Sequence, residues 1–86
     1  MKHEEYIQTF KQKGEFDGCC HILYLDGLVG ALDGVFSDIL AAYYDPDAGQ
    51  VDFLVQDSDG FENDWMFLRD FPFSVQKMIV EQIRNY

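Results

Sequence analysis

The one place in this chain where nucleophile-type residues adjoin is Cys19-Cys20-His21. A thiol becomes reactive when a cation or a helix N-terminus lowers its pKa, whereas the flanking charges here are Asp17 and Asp26, which raise it. On a strand, Cys19 and His21 share a face and could ligate a metal together. A zinc site takes three or four such ligands, however, and the only other histidine is His3. Neighbouring strand residues point to opposite faces, so the two cysteines are also poorly placed to bridge each other. The segment reads as two structural thiols beside a histidine, with neither metal nor cofactor.

Oxygen donors gather in two other places. Asp45, Asp47 and Asp52 surround one turn, and Asp57, Asp59, Glu62, Asn63 and Asp64 surround the next. Calcium takes such ligands, but the EF-hand loop needs a ligand at its fifth position and glycine at its sixth. Counted from Asp57, those positions hold Phe61 and Glu62. Asp and Gly are also ordinary hairpin-turn residues, so a weak divalent-cation site stands only as an alternative reading. The chain has no glycine-rich phosphate loop, and its spacing singles out no carboxylate pair for acid-base work. It reads as a protein that is not an enzyme.

Charge is the stronger signal. From Glu15 to Leu68 there is no lysine or arginine, yet this span carries twelve of the sixteen carboxylates; the net charge is -10. All six basic residues lie outside it, at Lys2, Lys11, Lys13, Arg69, Lys77 and Arg84. A field of one sign attracts its complement and repels nucleic acid and anionic lipid. The expected partner is therefore a basic protein, with no direct nucleic-acid contact and no membrane.

Elements must hold these residues in place. With 86 residues, 48% of them hydrophobic and 16% aromatic, the sequence predicts a single small globular domain over residues 1–86 with one core. The N-terminus is polar with helically spaced apolar residues, so no secretory leader is read, and no apolar run approaches a membrane span. The expected compartment is the cytoplasm, which agrees with the absence of a disulfide framework.

Tyr6, Ile7 and Phe10 share a helical face. Glu4 and Glu5 stand in the first turn, Lys11 and Lys13 in the last, and Gly14 stands where a C-terminal glycine cap belongs. A second helix is predicted from about Pro72 to Asn85, with Val75, Met78, Ile79, Ile83 and Tyr86 on one stripe. Between them the pattern alternates. A strand ends at Asp26-Gly27, read as a hairpin turn. Ile39 to Tyr44 and Val51 to Val55 flank the turn-rich segment 45–49, with Val51, Phe53 and Val55 facing the core and Asp52 and Gln56 outward. A turn at Asp57-Ser58-Asp59-Gly60 then precedes a strand from Asn63 to Leu68, with Trp65 and Phe67 on one face. Leu28 to Tyr43 fits a helical period, but Gly30 and Gly34 each cost a helix roughly 1 kcal/mol relative to alanine, so strand is favoured, with a break near Ser37-Asp38. The predicted fold is α+β: an N-terminal helix, an antiparallel meander of four to five strands, and a C-terminal helix packed on one sheet face. The alternative places an additional helix within 28–43.

The functional expectation joins charge to aromatics: a non-enzymatic interaction module that docks on a basic partner. Tyr44, Phe61 and Trp65 would be anchors, and Asp45, Asp47, Asp57, Asp59, Glu62 and Asp64 would supply the steering field. A DNA mimic that inhibits a nucleic-acid-binding protein is the alternative, since the twelve carboxylates approach the charge of a comparable length of duplex, at one per ~1.7 Å. That reading requires them to lie on one surface.

Overall fold

The C-terminal helix shows how the apolar pattern organises the fold. In the computed structural model, which describes residues 3–32, 34–57 and 63–86, α2 spans Phe73–Arg84. Pro72 precedes its first residue, and the Pro72 carbonyl accepts the first helical bond from the Gln76 amide at 2.9 Å. Val75, Ile79, Val80 and Ile83 are buried. Met78 and Tyr86, placed on that stripe by spacing, are instead about half exposed. At 100° per residue Met78 and Val80 stand equally far, one on each side, from the line through Val75, Ile79 and Ile83, so it is the way the helix sits on the sheet, not the spacing, that buries Val80.

Helix α1 spans His3–Lys13 and buries Tyr6, Ile7 and Phe10. Gly14 follows it without the left-handed backbone of a glycine cap. The residue is needed for space: a Cβ there would lie 2.5 Å from the Phe10 carbonyl oxygen and 3.2 Å from the His21 Cβ.

Among the described residues there are five strands, β1 Glu15–Phe16, β2 His21–Leu32, β3 Val35–Asp45, β4 Gln50–Asp57 and β5 Asn63–Phe67. They form one antiparallel sheet in chain order. The architecture is the expected α+β arrangement, and within 28–43 the residues 28–32 and 35–43 are strand. Two local expectations fail. Asp26-Gly27 is no turn, since β2 runs through it. Between the pairs Tyr24↔Ala41 and Leu28↔Ile39, three residues of β2 face only Leu40 of β3, and Gly27 adopts φ +65°. The Asp-Gly pair is used as a bulge. The hairpin closes instead after the pair Leu32↔Val35, where Gly34 has φ +80°. Nor does β3 break near Ser37-Asp38, since its irregularity lies at Leu40 and Ser37 is buried. The loop at 46–49 joins β3 to β4 as expected. The turn expected at Asp57-Ser58-Asp59-Gly60 lies outside the described residues beyond Asp57.

Both helices cover the same face of the sheet. Their apolar stripes join Leu23, Ile39, Ala42, Tyr44, Val51, Phe53 and Val55 in one core. Val51, Phe53 and Val55 face inward as the alternation predicts, and Asp52 and Gln56 take the other side. Phe71, just before α2, packs edge-on against Phe53 with ring centroids 6.1 Å apart. Gly30 makes room for it, because a Cβ at that position would lie 3.1 Å from the Phe71 ring. No described helix is long and apolar enough to cross a membrane.

Candidate docking face

The sheet face opposite the helices carries no covering element among the described residues, and the strand register determines what stands on it. One row runs Glu15–Ile22–Tyr43–Asp52–Phe67, and the next runs Tyr24–Ala41–Leu54–Trp65. Val29, Asp38 and Gln56 form a third row past the bulges, and Asp45 lies beyond Tyr43 on the same side of β3. Tyr24 and Trp65 are 56% and 57% exposed, at opposite ends of their row. Ala41 lies between them and is 1% exposed, because larger neighbours roof it over. Tyr43 and Trp65 meet edge to face, with centroids 4.9 Å apart and planes at 68°.

Around this aromatic centre the charge has one sign. Glu15, Asp38, Asp45 and Asp52 share the face by register. Desolvation under the roof, and after it the charge of Asp45, raises the Asp52 carboxyl above the usual range. Tyr43 is raised as well, first by burial and then by Tyr24, Asp17 and Cys20. Arg69 brings a cation to the rim, its guanidinium 4.8 Å from the centre of the Phe67 ring. That contact shows a face residue accepting a cation over its π-system.

The residues singled out in the sequence divide sharply. Trp65 stands on this face and is exposed. Tyr44 does not: it is 7% exposed and lies in the core, 5.9 Å from Phe10. The aromatic presented to solvent by β3 is its neighbour Tyr43. Asp45 is on the face, but its Oδ1 accepts from the Asp47 and Ala48 amides at 2.9 and 3.3 Å, so it also builds the β3–β4 turn. Asp47 is exposed in that turn. Asp64 alternates to the other side of β5 from Trp65, and its Oδ1 accepts from the Trp65 amide at 2.9 Å. Asp57 ends β4, opposite Ser37; Asp59, Phe61 and Glu62 lie outside the described residues. Sequence reasoning left out Tyr24, Tyr43, Asp52, Leu54 and Phe67 as a surface. The alternation of each strand was visible, but only the register unites them.

The cysteine segment is a tight connection between β1 and β2. The Asp17 Oδ1 accepts from the Cys19 amide at 3.1 Å, the Cys20 amide at 2.9 Å and the Cys19 thiol at 3.4 Å, and Gly18 supplies φ +105°. The amides of Cys20 and Cys19 lower the Asp17 carboxyl. The Cys19 thiol is pushed up to about 11 by its contacts with the Cys20 and Asp17 side chains and by the Asp17 charge, so it is protonated at neutral pH. Cys19 lies in the loop, so strand alternation does not pair it with His21; the donors brought within 4.8 Å are Asp17, Cys19 and Cys20. His21 packs on the helix side, 4.8 Å from Phe16 and 6.2 Å from Tyr44 by ring centroids.

The fold and this face define a two-layer α+β protein with one open, acidic and aromatic sheet surface. Compared with known protein families, curated proteins and solved structures, the chain matches none of them.

Proposed function

We propose that the open sheet face docks a positively charged segment of a partner protein, and that the protein acts as a non-enzymatic interaction module. The observation that carries this reading is the register, which places Tyr24, Tyr43, Trp65 and Phe67 among Glu15, Asp38, Asp45 and Asp52 on one uncovered face. Aromatic rings supply contact area at low entropic cost and accept cations over their faces, while the carboxylates speed encounter and set its sign. An apolar centre ringed by acids suits lysine and arginine side chains better than it copies a row of phosphates, so the protein partner is preferred over DNA mimicry. The free thiols Cys19 and Cys20 fit a reducing cytoplasmic setting.

Trp65 is the only tryptophan, so its fluorescence reports directly on the face. Titration with an arginine- and lysine-rich peptide should change Trp65 emission, and the affinity should fall as salt is raised. A glutamate-rich peptide of equal length should leave the emission unchanged. An equal response to both peptides, or none to the basic one, overturns the reading.

A further inference from the structure

The second open element is an edge. β1 pairs with β2 only at His21 and Ile22, so from Leu23 onward the outer edge of β2 has no strand beside it among the described residues. Its last five residues, Leu28 to Leu32, are uncharged. Leu32 and Val35 are register partners with two residues between them in sequence and so form a hydrogen-bonded pair. Alternation then commits the N–H and C=O groups of Leu28, Gly30 and Leu32 to β3. Those of Val29 and Ala31 point away from the sheet.

We propose that this edge pairs with its counterpart on a second copy of the chain, antiparallel and centred on Gly30, to give a weak homodimer. The order Leu28, Val29, Gly30, Ala31, Leu32 reads nearly the same in both directions, which an isologous twofold contact requires. Pairing about Gly30 sets Val29 opposite Ala31 of the second copy, so all the outward-pointing groups of both residues find partners. Leu28 then faces Leu32, and the two glycines form the closest, non-hydrogen-bonded pair. Natural sheets protect such edges with lysine, proline or a bulge. Here the edge has neither lysine nor proline, and the bulge at 25–27 stops short of Leu28.

Exposed apolar side chains stand near it. Val29, Val35 and Phe36 are 48%, 50% and 64% exposed, and Leu28 lines a shallow cleft of mixed character with Met78, Glu81, Gln82 and Asn85. A segment of basic character would favour the acidic open face over this uncharged edge, which leaves a second copy as the matching occupant. Five paired residues per copy fall well below the roughly 800 Å² per partner of a standard interface, and each copy carries a net charge of -10. The dimer is therefore weak and forms more readily as salt screens the repulsion, opposite to the salt dependence of the basic-peptide contact. The two proposals thus fail separately.

Sedimentation velocity across a protein concentration series, at about 0.05 M and about 0.5 M salt, tests it. The expected result is a monomer that converts to dimer at high concentration, with more dimer at the higher salt. Val29→Pro deletes an outward N–H and should abolish the dimer. Val29→Lys at the same exposed site reduces the net charge yet should also abolish it, and melting curves confirm that both variants fold. In the native protein, hydrogen exchange at the Val29 and Ala31 amides should slow with concentration, while Leu28, Gly30 and Leu32 exchange slowly throughout. A monomer at every concentration and salt overturns the proposal. So does a dimer that survives both substitutions or leaves Val29 and Ala31 exchange unchanged.

Discussion

Tyr43 on β3 and Trp65 on β5 touch across the intervening strand, edge to face with centroids 4.9 Å apart. They are not cross-strand partners: Tyr43 stands opposite Asp52, and Trp65 opposite Leu54. The contact is diagonal and crosses β4 beside Asp52, whose carboxyl is raised by burial and then by the charge of Asp45. An otherwise open face thereby gains a fixed apolar centre with a partly desolvated acid at its margin.

This pair is expected to be coupled in stability. An edge-to-face contact is worth ~0.5–1.5 kcal/mol beyond its buried area. A double-mutant cycle of Tyr43→Leu and Trp65→Leu, read by urea denaturation, should return a coupling in that range. Coupling near zero would mean that the two rings share the face without holding each other.

Gly30→Ala should destabilise the protein although alanine disfavours a strand less than glycine does. The added Cβ would lie 3.1 Å from both the Phe71 ring and the Ile39 Cδ1, in a core where overpacking costs ~1–3 kcal/mol. Combining it with Phe71→Leu, which shortens the opposing side chain, should recover part of the loss. A neutral Gly30→Ala result would show that Phe71 has room to move.

Cys19 should react slowly with iodoacetamide at neutral pH, because its thiol is held up to about 11 and the thiolate is the nucleophile. Asp17→Asn removes the charge that helps hold it there, so Cys19 alkylation, followed by mass spectrometry of the peptide, should accelerate. An unchanged rate would assign the slow reaction to the contact with the Cys20 side chain instead.

The sequence made the inward set Val51, Phe53 and Val55 and the outward pair Trp65 and Phe67 legible, because one strand's alternation suffices for each. Tyr43 and Tyr44 were not separable in this way. Ala41 and Ala42 are both buried, so β3 is apolar on its two faces, and the bulge at Leu40 shifts its phase. Asp26-Gly27 and Asp33-Gly34 carry the same local turn signal. Which one turns depends on the pairing of Leu28 to Leu32 with Val35 to Ile39, a non-local fact. The candidate face had the same difficulty, since its acids and rings come from five strands and meet only through register.

Asp52 and Asp17 should give opposite pH signatures. With its folded pKa raised, Asp52 binds its proton more tightly in the folded chain than in the unfolded one. Its contribution is therefore favourable at acid pH and is lost as pH rises through the folded pKa. Asp17 is lowered, so its contribution is present above the unfolded pKa and is lost as pH falls through the folded one. Asp52→Asn should accordingly raise the melting temperature at neutral pH, with a gain that shrinks as pH falls into the carboxylate range. Asp17→Asn should lower it at neutral pH, with a deficit that closes on acidification. An Asp52→Asn gain that persists unchanged at acid pH would trace the effect to packing under the Tyr43–Trp65 roof.

Salt gives the broadest check on how the charge is arranged. The net charge is -10, and four carboxylates converge on one face while the helices hold lysines and arginines. Screening this self-repulsion should stabilise the folded state, because like charges are brought closer on folding than in the open chain. The melting temperature should rise between low and moderate ionic strength, and Asp38→Asn or Asp45→Asn should reduce the rise. The Asp45 variant tests the face more severely, since its Oδ1 also accepts from the Asp47 and Ala48 amides. An asparagine oxygen keeps those bonds while removing the charge felt by Asp52. If screening is the cause, Asp45→Asn should melt higher than the native protein at low salt and approach it at high salt. A gap independent of salt would instead reflect turn geometry, and a melting temperature of the native protein that stays flat with salt would show that the acids are too far apart to repel.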